Sequence, residues 1–385
     1  MIRKISKKKF LEKLENIKYG SLDIETFEGE KFHFKGEVPG EKADLKINSW
    51  SFVPKLVTTG DIGFAESYRD NQVETSNIQR LLTFALRNSQ ILDSYIYSSV
   101  FGRLIHKFIY FLNTNTISQS RKNIHRHYDL GNNFYSIWLD KSMTYSSGIF
   151  GSEQDNLLQA QENKYNRIIE NLNNSGTLLE IGCGWGGFIN QALSKKDFAA
   201  KGITISSEQL HYAKDKLDGN ADIALEDYRI QNGRFDNIVS IEMFEAVGKK
   251  YWPIYFRKIK ELLNTNGKAI IQTITINDDL SEQYQKGSDM IRSYIFPGGM
   301  LPSESQFKYY ATQSGLKITD IYRFAKDYSK TLDIWQANFN SNIEAIKKLQ
   351  FDNKFINLWN FYLASCSSCF LLERTNVMQV KLEHA

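Results

Sequence analysis

Residues Thr177–Gly187 read TLLEIGCGWGG: a short apolar run, one acidic residue, then glycines at 182, 184, 186 and 187. A run of this kind predicts a buried parallel strand that breaks into a tight turn and then a helix. Glycine suits the turn because the backbone takes positive φ there and because a ligand can approach where a Cβ would stand.

Gly182, Gly184 and Gly187 also have the spacing of the dinucleotide fingerprint. That reading asks for an acidic residue about 20 positions further on, at the end of the next strand, to hold a ribose. The next apolar run, 200–205, ends instead in Thr204-Ile205-Ser206, and the acidic residue, Glu180, stands before the first glycine. A carboxylate there attracts a cation and repels a phosphate. The arrangement resembles the first motif of class I S-adenosylmethionine-dependent methyltransferases, whose ligand carries a sulfonium and an ammonium and no pyrophosphate.

Outward from this motif the sequence alternates. A helix over 154–171 leads into it, and helix 187–195, strand 200–205, helix 206–217, strands 221–225 and 235–241, helix 251–263 and strand 268–275 follow. The fold class expected is α/β, a class I methyltransferase-type (Rossmann-like) mostly parallel sheet with helices on both faces and ligands at the C-terminal strand ends. Residues 278–315 interrupt the rhythm with loop-rich, aromatic sequence, where a substrate lid or an acyl-chain pocket would be built. A strand-like stretch at 317–325 and a helical tail from about 333 to 380 close the chain.

The 385 residues exceed one ordinary domain, so two are expected. Residues 20–60 carry short alternating runs broken by Gly29, Gly36, Pro39 and Gly40, a pattern of small antiparallel strands. From Gly60 to Phe111 apolar and aromatic residues recur at helical spacing, and these helices either dip into acyl chains or pack against a neighbour. The polar stretch 113–122, NTNTISQSRK, has linker composition, which gives a smaller mixed helical/β domain over 1–115, expected to touch lipid, and a catalytic domain over 116–385.

A net charge of +4 is too small to argue for nucleic acid, but Arg3, Lys4, Lys7, Lys8, Lys9 and Lys13 crowd the start. Such a segment either sits on anionic headgroups or is a solvated terminus. With 42% hydrophobic residues and no apolar run of spanning length or signal peptide, the reading is a cytoplasmic protein, at most peripheral to the inner membrane surface. Cys183, Cys366 and Cys369 cannot form a disulfide framework. Cys366 and Cys369 form half of a zinc ribbon without its second pair, and at i, i+3 they read better as small apolar residues on a buried helix. His125 and His127 have no acidic or cysteine partner at ligand spacing, so no metal site is expected.

Seven blocks, in consistent order, resemble one family. They are His127–Asn132, Met143–Ser147, Leu178–Gly187, Gly202–Ser206 with Gln209, Glu226–Arg229, Met243–Gly248 and Tyr294–Gly299. Together they look like the cyclopropane-fatty-acyl-phospholipid synthases and their mycolic-acid relatives over about 120–370. The resemblance implies methylation of an unsaturated acyl chain of a membrane phospholipid by S-adenosylmethionine, with a bound bicarbonate as base; it leaves open a methyl-branched or methylenated product, or a small soluble acceptor. Relatives of this type are often dimeric, which makes a homodimer the expected assembly.

Carried over by position, the bicarbonate nest would be Ser147, Glu245, Gln272, Ile274 and Tyr328, with Cys366 a further marked position. Where the enterobacterial pattern has a cysteine this chain has Ser147, and where it has a histidine this chain has Gln272. Gln272 can hydrogen-bond an anion and cannot titrate near neutrality, which favours an exogenous base. For the cofactor, Tyr145 and Ser146 would meet the methionine end, Gly182, Cys183 and Gly184 its backbone beside Glu180, Thr204, Ile205 and Gln209 the ribose, and Asp227 with Tyr228 the adenine. Tyr328 and the aromatic insertion offer π faces to a cation.

Overall fold

The computed structural model describes residues 2–96 and 130–385. The expected helical run at 101–111, the linker at 113–122, the 115/116 boundary, His125 and His127 lie outside the described residues.

The chain opens with a helix, Ile2–Leu14. Phe10 and Leu14 pack it onto the first sheet, the Phe10 ring meeting Phe52 edge-on at 5.3 Å, while Lys8 and Lys9 stay exposed. The basic start is thus a docked helix that still presents cations to solvent.

Strands β1 (Tyr19–Thr26), β2 (Lys31–Lys35), β3 (Val38–Ile47) and β4 (Val73–Glu74) form a sheet in the order β2-β1-β3-β4. The antiparallel expectation holds for β1 with β2 but fails for β1 with β3, which run parallel with Leu22 opposite Ala43. The cause is the link after β2, which crosses beneath the start of β1 rather than turning back. A Cβ on Gly36 would stand 2.4 Å from the Lys18 carbonyl carbon, so only glycine lets the two backbones cross in contact.

Helices Phe52–Thr59, Asp61–Arg69 and Ile78–Arg87 follow. The last packs against the C-terminal helix Asn353–Leu371, with Thr83 Oγ1 and Ser368 Oγ 2.9 Å apart and Gln79 Nε2 donating to Ser367 Oγ at 2.9 Å. The N-terminal residues therefore pack directly against the C-terminal half of the chain.

The second sheet has seven strands: β5 (Ser175–Ile181), β6 (Asp197–Thr204), β7 (Asp222–Leu225), β8 (Phe235–Ile241), β9 (Leu263–Ile276), β10 (Leu316–Arg323) and β11 (Thr375–His384). Their order is β10-β11-β9-β8-β5-β6-β7, parallel from β9 to β7 and antiparallel where β11 meets β9 and β10. The fold is α/β with a mostly parallel sheet and a smaller N-terminal mixed α/β part. Buried Leu178, Leu179, Ile238 and Ile271 fill its centre, where a fully buried aliphatic side chain contributes about 1.5–3 kcal/mol.

Two expectations are corrected here. The tail is helical only to Leu371, through Ala325–Ser341, Ile343–Lys348 and Asn353–Leu371, and then supplies β11 between β9 and β10. The helix stops without a glycine, on Glu373 at φ +53, so the break leaves little trace in the sequence. Residues 278–315 are largely helical, in Asp278–Lys286, the π-turn Ile291–Ile295 and Glu304–Gln313. Asn277 caps the first, and a reciprocal Ser303–Gln306 capping box starts the last.

Candidate active site

At the end of β5 the amides of Gly182 and Cys183 both donate to Ile203 O, at 2.9 and 3.0 Å, which folds the glycine turn against β6. Gly184 has φ +51 and a Cβ there would meet nothing within 4 Å, so the backbone is bare toward the cavity. The Cys183 thiol is buried in the sheet core and burial pushes it well above its usual range, so this residue faces a ligand through its main chain. Glu180 lies beneath the turn. Desolvation raises its carboxyl to about 8, against the attraction of Lys164 and a hydrogen bond from the Ile189 amide at the next helix start.

Around the turn, Thr204 Oγ1 donates to Gln209 Oε1 at 2.9 Å, and Ser206 caps the helix Ser207–Leu217. Ile205 lines the same cavity. Asp227 is gripped by Arg229, whose main-chain amide, Nε and Nη2 all donate to its carboxylate at 2.6–2.9 Å. The Tyr228 ring packs into the core at 5.4 Å from Tyr255. The Ser146 hydroxyl accepts from Lys164 Nζ at 2.6 Å. Desolvation lowers this fully buried ammonium to about 7, against the attraction of Glu242.

Opposite the glycine turn, aromatic faces converge. Tyr145 and Tyr362 share a hydroxyl–hydroxyl bond of 2.8 Å, Phe296 lies 6.1 Å from Tyr362, and the Tyr328 ring stacks on Phe370 at 4.3 Å. These rings present π faces that attract a cation. Cys366 is half-buried on the cavity wall, with its thiol pushed well above the ordinary range by burial.

The positions assigned to a bicarbonate nest come together, but around two side-chain carboxylates. Glu242 Oε1 accepts from the Ser147 amide at 2.9 Å and from Gln272 Nε2 at 2.7 Å, while its Oε2 accepts from Tyr328 O–H at 2.5 Å. Glu245 Oε1 accepts from the Ile274 amide at 2.5 Å and from Thr273 Oγ1 at 2.9 Å. Desolvation raises both carboxyls, Glu245 to about 8 with the like charge of Glu242 as the next cause. Bicarbonate does not fit this nest, because each donor that would hold it already holds a glutamate.

Glu242, Lys164 and Gln379 are not marked by the sequence, and Arg229 stands in a marked block without a role. For Glu242 a signal existed: it directly follows β8, at the strand end where this architecture places ligands. Gln379 sits on β11, which the tail reading had made helix.

The glycine turn, Thr204, Asp227, Tyr228, the converging rings, Cys366 and both glutamates line one cavity of about 970 Å³. It runs from the glycine turn past the carboxylates and rings to apolar walls from the N-terminal half, including Phe64, Leu82, Leu86 and Leu92. Among the described residues no helix is long and apolar enough to cross a membrane, and no cluster of three metal-ligating side chains occurs.

Residues 115–380 match the family model described as mycolic acid cyclopropane synthetase. The chain is 31% identical to the cyclopropane-fatty-acyl-phospholipid synthase of Escherichia coli, over 88% of this chain and 87% of that one. It is 30% identical to the tuberculostearic acid methyltransferase UfaA1 of Mycobacterium tuberculosis, over 81% of this chain and 76% of that one. Among solved structures, the mycolic acid cyclopropane synthase CmaA1 complexed with SAH and CTAB aligns with a TM-score of 0.64 at 28% identity, covering 68% of this chain and 97% of that one.

Proposed function

The chain belongs to the mycolic acid cyclopropane synthetase family of S-adenosylmethionine-dependent enzymes, and from that premise we propose that it methylates the cis double bond of unsaturated phospholipid acyl chains to give a cyclopropane. The observation that carries this reading is the continuity of the cavity from Gly184 to Leu82, Leu86 and Leu92. At about 970 Å³ it stands near the top of the range for small-molecule sites, which suits a cofactor together with a hydrocarbon chain.

The bare backbone at Gly184, the Thr204–Gln209 pair and the Asp227 carboxylate fit a charged nucleoside donor. When bound, S-adenosylmethionine supplies an electrophilic sulfonium methyl. The chain's own groups do the rest. Phe296, Tyr328 and Tyr362 turn π faces to the positive charge that builds on the acyl chain, worth about 2 kcal/mol or more where water is excluded. The apolar walls hold the alkene in line with the methyl, and such positioning supplies about 7–11 kcal/mol of a barrier.

The lipid partner would be met at a membrane surface, with exposed Lys8 and Lys9 of the first helix toward anionic headgroups. The similarity to UfaA1, named for tuberculostearic acid, favours one second reading, a methylenated or methyl-branched product from the same cation. Incubation with S-adenosylmethionine and mono-unsaturated phospholipid vesicles, followed by mass spectrometry and NMR of the fatty acids, tests both. Ring-proton resonances with loss of the alkene are expected, vinylidene signals would assign the second product, and unchanged lipid beside a methylated soluble acceptor would overturn both.

A further inference from the structure

We propose that Glu242 is the base of this reaction, so that the chain supplies from its own side chain the carboxylate that an anion from solution would otherwise provide; the proposal rests on the acyl-chain methylation of the preceding subsection. Four observations carry it. The Ser147 amide, Gln272 Nε2 and the Tyr328 hydroxyl all converge on the Glu242 carboxylate, at 2.9, 2.7 and 2.5 Å. The Ile274 amide and Thr273 hydroxyl hold Glu245 beside it, so no donor in the nest remains for a second anion.

The backbone of Glu242 is held in the left-handed region, at φ +50, and its amide donates to Gln272 O at 2.8 Å. A non-glycine residue persists there only where its surroundings over-determine it, and such residues gather at functional sites. Finally, the side chain lines the cavity that also holds Gly182 and Tyr362, between the cofactor turn and the aromatic wall. A carboxylate offers about four lone-pair positions, and the three donors leave Oε2 capacity for a proton.

The step balances within the site. The alkene π pair forms a C–C bond to the sulfonium methyl as the S–CH₃ bond breaks, its electrons staying on sulfur as a thioether and leaving a cation on the chain. Glu242 then takes a proton from the added methyl group, and the released C–H pair closes the ring onto the cationic carbon. Glu242, now a neutral acid, returns the proton to water as the site reopens. Lys164 and Glu245 are the charged groups that act on it, and burial raises the Glu242 carboxyl above its ordinary range, which makes it a stronger base than a solvated carboxylate.

The test compares wild-type turnover on mono-unsaturated phosphatidylglycerol vesicles in decarbonated buffer under argon with turnover after bicarbonate is added back. The two rates should agree within about twofold, and Glu242→Gly should lose about a hundredfold or more while recovering part of the loss with formate or bicarbonate. Wild-type turnover that collapses without bicarbonate, or Glu242→Gly turnover equal to wild type, overturns the proposal while leaving acyl-chain methylation intact. Should the glycine variant misfold, Glu242→Gln, checked for S-adenosylmethionine binding by calorimetry, carries the same comparison. Absence of lipid product from wild type in both arms overturns the underlying reading and the proposal with it.

Discussion

Gln379 Nε2 donates to Gln272 Oε1 at 3.0 Å across the register pair of β9 and β11, and this bond turns the Gln272 amide so that its N–H₂ end meets Glu242. Both glutamines are fully buried, so the orientation has no water to relax it. A strand that reaches the cavity only at its first residue, Thr375, thereby sets a polar contact in the active site. Replacing Gln379 by Met removes the donor at similar volume and frees the amide to flip its oxygen toward a carboxylate. We expect kcat to fall about tenfold, equal to about 1.4 kcal/mol of lost orientation. Calorimetric affinity for S-adenosylmethionine should stay unchanged, and a loss of thermal stability without that fall in kcat would assign Gln379 a merely structural role.

Tyr328 offers a test in pH. Its hydroxyl bond to Glu242 lowers a carboxyl that desolvation has raised above its ordinary 4.5. The proposed base works ionised, so activity should rise with pH through an acid limb above the usual carboxylate range. Tyr328→Phe removes the favourable bond, the folded-state pKa climbs further, and the limb of kcat/KM should move to higher pH. An unmoved limb with a uniformly lower rate would mean that the ring face, not the hydroxyl, is what the site uses.

Much of this was legible because the α/β rhythm from β5 to β9 is written in local patterns. The helix Gly187–Lys195 and the strand Phe235–Ile241 fall where periodicity puts them. The helices after β9 were legible too, since Ser303-Glu304-Ser305-Gln306 is a capping-box sequence that the aromatic residues around it masked. β11 was not, because its place in the sheet depends on pairing with β9 about a hundred residues earlier, and nothing local marks a long-range register. The site divides in the same way. The family resemblance, carried over by position, supplied the nest's members, whereas which carboxylate they would surround depended on the left-handed turn at Glu242.

Cys366 should be dispensable. Its thiol lines the cavity and burial holds it well above the ordinary range, so it is protonated and unreactive at neutral pH. Cys366→Ala should keep kcat within about twofold, since no step derived above needs a thiolate. Alkylating reagents should modify it slowly at neutral pH, and prior filling of the channel with a long-chain amphiphile should slow them further. A large fall in kcat on substitution would show that the thiol touches the reacting chain.

The N-terminal half meets the segment after the helix Asp278–Lys286 through a buried carboxyl. Asp61 Oδ2 accepts from the Met290 amide at 3.0 Å, and Tyr294 donates to Glu66 of the same helix, Asp61–Arg69. Desolvation, and then the like charge of Asp289, push the Asp61 carboxyl from 3.8 up to about 7. A carboxyl raised in the folded state favours the neutral form, so its contribution is complete below about pH 3.8 and is lost progressively as pH rises to about 7. Asp61→Asn keeps an acceptor for Met290 without a charge. It should melt with wild type at low pH and be more stable above neutrality by about 2 kcal/mol or less. Because Asp289, Ile291, Arg292 and Phe296 line the cavity, the same ionisation should loosen the channel wall. Hydrogen exchange at 288–296 should accordingly speed up between pH 6 and 8 in wild type, beyond the intrinsic rate, and not in the variant. Parallel exchange and parallel melting curves across that range would remove Asp61 as a titrating contact between the two halves.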